Sequence, residues 1–302
     1  MRTRTAILFL VLAFGVLAAI CVGPPVQSQT NETRGLAELQ KGDYDNAFKL
    51  LSARLVSNPN DTIAQKALLR VYIETGRYVE AETAARRFLT KTPETATVRH
   101  ELGEALVLTG KHTEAIAEFE RAASDAEKEA PQQKLASDLR RAEVLDSIGQ
   151  EDRARPINES FVKYYTDNDP QSAFELTLIA RALVHLERFQ DANDMYRSAI
   201  EADSNYLEAQ LGAAELFTQK YAYGDAALFL DDAFKINPNS ARVFLAVARN
   251  KRLDGDAETI AARNECASSD RGLIFKDLSI SVAAASYWPV SSATAALSAT
   301  SR

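Results

Sequence analysis

The chain has 302 residues, 46% hydrophobic and 25% charged, with 35 basic and 42 acidic side chains and a formal charge of −7. That length fits one large domain or two ordinary ones, and the composition is that of a folded globular protein. The acidic balance, with no basic run beside an aromatic platform, argues against nucleic acid as a partner, and only 12 Gly and 9 Pro favour long helical runs.

The first thirty residues have the pattern of a targeting segment. Arg2 and Arg4 precede an apolar run from Ala6 to Val22, Pro24-Pro25 ends any helix, and Val26 and Ser28 place small residues at the −3 and −1 positions of a cleavage site. A signal peptide is expected over 1–28, with cleavage after Ser28 and export to a periplasmic or secreted location. The competing expectation is an uncleaved anchor over 5–22, because an apolar run of this length lies at the lower limit for spanning a bilayer. Membrane contact is expected only through this segment. Cleavage removes Arg2, Arg4 and Cys21, leaving 33 basic against 42 acidic residues, or −9. Cys266 then stands alone and cannot form an internal disulfide, so packing must hold the fold.

Beyond the leader, Gly42, Gly76 and Gly110 follow one another at steps of 34 residues, as do Pro59 and Pro93. The same step separates Ala192 from Ala226, Tyr196 from Leu230 and Ala199 from Ala233. About a dozen residues with helical apolar spacing precede each glycine, such as Leu102, Leu106 and Val107. Glycine then supplies the left-handed conformation that closes a helix. A second helix follows, in which Ala115 and Ala122 let two backbones approach and Phe119 fills the space between them. Five extra residues including Pro131 are expected to lengthen the link to the fourth unit, and Pro156 to kink or shorten that unit's second helix.

This pattern resembles the tetratricopeptide repeat. Units fall at 28–61, 62–95, 96–129, 135–168, 173–206 and 207–240, with a partial seventh from Ala241. The resemblance implies an all-α solenoid of helix pairs, a right-handed superhelix over 29–263 whose concave groove is lined by first helices. It also implies a groove that holds a protein or extended peptide through Lys66, Arg70, His100, Glu104, Glu143, Arg181, His185, Glu215 and Arg249. Some relatives grip an acidic carboxy-terminal tail through Lys, Asn, Asn, Lys and Arg. Lys66 matches the first of these, but Arg70 replaces the first Asn, so that clamp is not expected.

Other features are weaker. His100-Glu101-Leu102-Gly103-Glu104 is one residue short of the H-E-x-x-H zinc signature; two ligands would share a helical face, yet no third is nominated nearby. Tyr164, Tyr165 and Phe161 are expected as core or edge aromatics, and Asn31, Asn60 and Asn158 head N-x-S/T triplets. After Gly255 the pattern fails, and the segment 264–302 is rich in Ser and Ala; a poorly ordered tail is expected there, the alternatives being an apolar segment from Leu278 to Val290 docked on the open end, or a chain cut short or shifted in frame. No metal, cofactor or catalytic residue is expected, and the sequence does not fix an oligomeric state. The expected function is a non-catalytic scaffold of the cell envelope or secreted space; the alternative is the repeat region of an exported peptidase or other enzyme whose catalytic domain is missing.

Overall fold

The computed structural model describes residues 31–126 and 130–254, and α-helix is the only regular structure among them. In order these are α1 (Asn31–Lys41), α2 (Tyr44–Ser57), α3 (Thr62–Glu74), α4 (Tyr78–Leu89), α5 (Ala96–Leu108), α6 (His112–Ala126), α7 (Pro131–Ser147), α8 (Glu151–Asn168), α9 (Ala173–His185), α10 (Phe189–Ala202), α11 (Leu207–Gln219), α12 (Tyr223–Ile236) and α13 (Ala241–Asp254). Six helix pairs and the first helix of a seventh thus match the units read from the sequence. The expected signal peptide, Cys21, Cys266 and the tail lie outside the described residues.

Local chemistry sets the helix ends. Asp43, Asp61 and Ser172 are N-caps whose side chains accept from the amides of Asn46, Ala64 and Glu175. Each pair turns over through one geometry: the amide just after the apex residue donates back to a carbonyl five residues earlier, as in Arg77 to Tyr72 and Lys111 to Leu106, both at 2.8 Å. The residue at the apex has positive φ, namely Gly42, Gly76, Gly110 and Gly149, and in the last two pairs Glu187 (φ 61°) and Tyr221 (φ 62°).

Within each pair an alanine marks the closest approach. Ala47, Ala81, Ala115, Ala154, Ala192 and Ala226 occupy equivalent positions, and none exposes any surface. The large side chain follows four residues later as Leu51, Phe119, Tyr196 and Leu230. Units two and four reverse the order. Ala85 and Asn158 take that place, and Phe88 and Phe161 fill the core one turn on. Gly103 is required beneath Phe119, where a Cβ would stand 2.6 Å from the ring.

Two expectations about unit four are corrected. Pro131 opens α7 at its first turn, so extra residues lengthen the helix itself. Pro156 leaves α8 unshortened at 18 residues. It and Asp152, whose carbonyl loses its intrahelical partner, are both exposed, so water can satisfy that oxygen.

Successive first helices touch one another from α1 through α13, while no comparable contact joins successive second helices. First helices therefore form the inner layer of the curve. The curve brings the two ends together: Asn237 donates to the Tyr44 hydroxyl and Asn239 to the Gly42 carbonyl, each at 3.3 Å. Asn237 is 5% exposed and Tyr44 9%. A Cβ on Gly42 would collide with Asn237, whereas one on Gly76 would meet nothing within 4 Å.

Gly42→Ala and Gly76→Ala share the positive-φ penalty of about 1–2 kcal/mol, but only the first opposes closure. Small-angle scattering should show Gly42→Ala expanding while Gly76→Ala keeps the parent dimensions; identical profiles would deny that the ends stay together in solution. Glu187→Gly should raise urea-unfolding stability by about 0.5–1 kcal/mol, because relief at φ 61° exceeds the added backbone entropy.

Candidate functional site

From α3 to α13 the inner wall carries one charged side chain at the same register of each first helix: Arg70, Glu104, Glu143, Arg181, Glu215 and Arg249. They do not stand free. Arg70 donates to Glu101 at 3.1 Å. Arg140 holds both oxygens of Glu104 at 2.6 and 2.9 Å and also donates to Glu143. Arg181 grips Glu143 at 2.9 and 2.7 Å, and Arg249 pairs with Glu215 at 2.7 Å. Nearer the helix starts, Arg242 makes a bidentate pair with Glu208 at 2.6 and 2.7 Å. Opposite charges on adjacent helices thus link α3 to α9, and α11 to α13.

Burial makes the pairing compulsory in the middle of the wall. The Glu143 and Glu104 side chains are 7% and 11% exposed, and that of Arg140 20%. Burial alone would raise both carboxyls, but Arg140 at Glu104, and Arg181 with Arg140 at Glu143, hold them below the ordinary carboxylate range. Glu101 differs: with no exposed side-chain surface and one oxygen lacking a hydrogen-bond partner, its carboxyl is pushed up by burial despite Arg70 and Lys66. At the α13 end of the wall, Arg242 is 46% exposed and Arg249 38%.

The histidines serve packing. His100 Nδ1 lies 3.1 Å from the Ser137 hydroxyl, its Nε2 is 3.6 Å from Glu104, and its ring meets Phe119 edge-on. Burial, aided by Arg70, Lys66 and Arg140 and opposed by Glu104, lowers its pKa to about 3, so the ring is neutral. His185 places Nδ1 2.8 Å from Asp146 and Nε2 3.9 Å from Glu143. The two groups of the near-zinc stretch, His100 and Glu104, are therefore engaged with protein partners. Among the described residues no group of three or more His, Cys, Asp or Glu is placed to hold a metal.

Of the residues expected in the groove, Lys66 alone is exposed and stands outside the ion pairs of this wall. It nevertheless contributes to the field at His100 and Glu101, which puts it on the same inner face. Ile63, one turn earlier, is 57% exposed. Arg70, His100, Glu104, Glu143, Arg181, His185, Glu215 and Arg249 are all brought onto the wall, but as members of its internal network. Sequence reasoning missed Glu101, Arg140, Asp146, Glu208 and Arg242. The Glu208–Arg242 pair was readable, being opposite charges 34 residues apart. Elsewhere, Phe161 is buried, Tyr164 donates to Glu175 at 2.6 Å and Tyr165 is 37% exposed. Asn158 is 1% exposed, which removes it as a modification acceptor in the folded chain.

Arg140→Ala leaves two buried carboxylates short of a partner and should lower stability by about 3–5 kcal/mol, against about 0–1 kcal/mol for Arg242→Ala at the exposed end. Chemical denaturation checks the contrast. For His100 the unfolded chain takes up a proton near pH 6.5 while the native ring stays neutral down to about 3. Stability should therefore fall as pH drops through that window, by up to about 1.4 kcal/mol per pH unit. His100→Gln should flatten that slope by one proton's worth between pH 6 and 4, measured as unfolding free energy against pH.

The tetratricopeptide repeat family model matches residues 32–94, 66–133 and 177–241, more than half of the chain. It passes over the interval containing most of α7 and all of α8, where the period is stretched and the aromatic displaced. No curated protein matches. Among solved structures the chain is similar to a tetratricopeptide repeat protein from Parabacteroides merdae, at 13% identity over 84% of this chain and 98% of that one, with a TM-score of 0.47. A thermophilic TPR protein of Thermus thermophilus gives 21% identity over 63% and 98%, TM-score 0.49. The APC/C hetero-tetramer Cut9-Hcn1 gives 16% over 83% and 45%, TM-score 0.50. At these identities the likeness concerns the fold alone. The repeated helix pairs, their shared turn and the family match together place this chain in the tetratricopeptide repeat family.

Proposed function

We propose that this chain is an exported, non-catalytic scaffold that binds an extended segment of a partner protein on the inner wall, at the α3 end. The observation that carries this reading is the contrast along that wall. Between α5 and α9 its charges are locked into buried pairs, whereas Ile63 and Lys66 on α3 stand exposed one turn apart. A ligand carboxylate seeking Arg140 or Arg181 would have to displace a buried glutamate, which costs several kcal/mol. Lys66 carries no such penalty, and Ile63 beside it offers apolar area. An extended chain suits the site better than a folded domain, because the meeting of the two ends encloses the inner face. Repeat proteins of this family generally act as protein-interaction scaffolds without catalysis, and the packing roles of His100 and Glu104 agree with that.

A photo-crosslinker placed at Lys66 in the full chain should capture a discrete partner in extracts of the native host. The same probe at Arg197, on a second helix and 65% exposed, should not. Ile63→Asp with Lys66→Glu should abolish capture while leaving the helical circular dichroism unchanged. Equal capture from both probe sites, or capture indifferent to the double change, would sink the α3 assignment. Export is tested separately: the chain recovered from the envelope or medium should begin at Gln29, and a Met1 chain confined to the cytosol would overturn it.

A further inference from the structure

The seventh unit has a first helix but no second helix behind it among the described residues. The consequence is visible at one register, the eighth position of the unit, where a first helix receives its own partner. There the complete units place Gly35, Leu69, Gly103, Ala142, Ala180 and Ala214, and all six are buried. The seventh places Ala248, and it is exposed. One turn further on, Leu106, Leu145 and Leu183 are buried in their units, whereas Lys251 is exposed. Apolar surface continues around this end with Leu253 at 40% and Phe234 at 43% exposure. Solenoids require such an end to be covered.

The residues immediately after α13 are poorly equipped to cover it. Each complete unit presents a large apolar side chain at one of two places in its second helix: Leu51, Phe88, Phe119, Phe161, Tyr196 or Leu230. Counted from Gly255, those two places fall on Asn264 and Ala267, neither of which fills the slot. The only aromatic residues beyond Asp254 are Phe275, Tyr287 and Trp288. The last two lie in Leu278–Val290, a stretch with no charged side chain that also carries Ile280 and Val282.

We propose that Leu278–Val290 of this same chain folds back onto α13 and caps the solenoid, with Trp288 against the Ala248 face. The intervening residues reach easily: more than twenty residues span up to about 3.3 Å each, while α13 is only about 21 Å long. Closing a loop of that length costs little more than closing a shorter one. An uncharged segment adds no second charge beside Lys251, whose ammonium can stay in water at the rim of the contact.

Trp288 is the sole tryptophan, so its emission reports on this contact without labelling. In the full chain the emission should be blue-shifted relative to free indole in water and independent of protein concentration. Ala248→Arg, at an exposed position that the fold tolerates, should shift it to the hydrated value and raise acrylamide quenching roughly threefold, as expected for local release. Trp288→Ser should speed amide exchange in α13 by about tenfold with the helical signal intact, equivalent to about 1.4 kcal/mol of lost local protection. Hydrated emission in the parent chain overturns the proposal. So does α13 exchange unaffected by Trp288→Ser, which would leave the cover to residues 256–269. A blue shift that vanishes on dilution also overturns it, by assigning the cover to a second copy.

Discussion

Every unit of this molecule depends on one close approach, two helix backbones meeting over an alanine with no room for a larger side chain. Six alanines with no exposed surface fix that approach. A single added methyl at such a site is felt as overpacking, because interiors are packed as densely as organic crystals. Given that spacing, the turn must reverse the chain within a few residues, and the left-handed residue at each apex does so. The stacking of first helices on first helices then follows, and with it the curvature that makes one wall inner and the other outer.

Curvature has an electrostatic consequence. Stacking brings the same register of neighbouring first helices into contact, so a charge there must either find its opposite next door or be left desolvated. This chain supplies the opposite. Arg70, Arg140 and Arg181 alternate with Glu101, Glu104 and Glu143 across four helices. Buried pairs of this kind are weak sources of net stability, but they punish any neighbour that does not match. On an inner wall they fix which unit stacks on which. What is left for recognition is the part of the wall that the network does not use.

The period, the turn glycines and the buried alanines were legible because each recurs at fixed spacing and each has a single physical reason. Glu187 and Tyr221 were less so: they adopt the same left-handed turn as Gly42 and Gly76, so the conformation is conserved where its marker is not. Unit four hid itself by moving its aromatic one turn along, from Asn158 to Phe161, and by extending α7 forward to Pro131. The site was half visible. The charged register of the first helices was readable, and so was the 34-residue step between Glu215 and Arg249 or Glu208 and Arg242. Glu104–Arg140 and Glu143–Arg181 were obscured because the added residues at the start of α7 and the 18-residue α8 shift those separations to 36 and 38. Nothing local announces that Asn237 meets Tyr44, because 193 residues separate them and neither is unusual where it stands.

That meeting bears on how the molecule comes apart. An open array of repeats is thermodynamically a row of neighbours, in which the outermost units have one interface instead of two and fray first. Joining Asn237 and Asn239 to the turn at Gly42 gives the first unit a second neighbour. The first unit then has no free tip, so apart from α13, which lies beyond the joint, melting must nucleate by breaking two interfaces at once. The weakest stretch is then chosen by composition instead of position, and unit four, with its polar Asn158 at a core site and its interrupted helix ladder at Pro156, is where a closed array of this sequence would open.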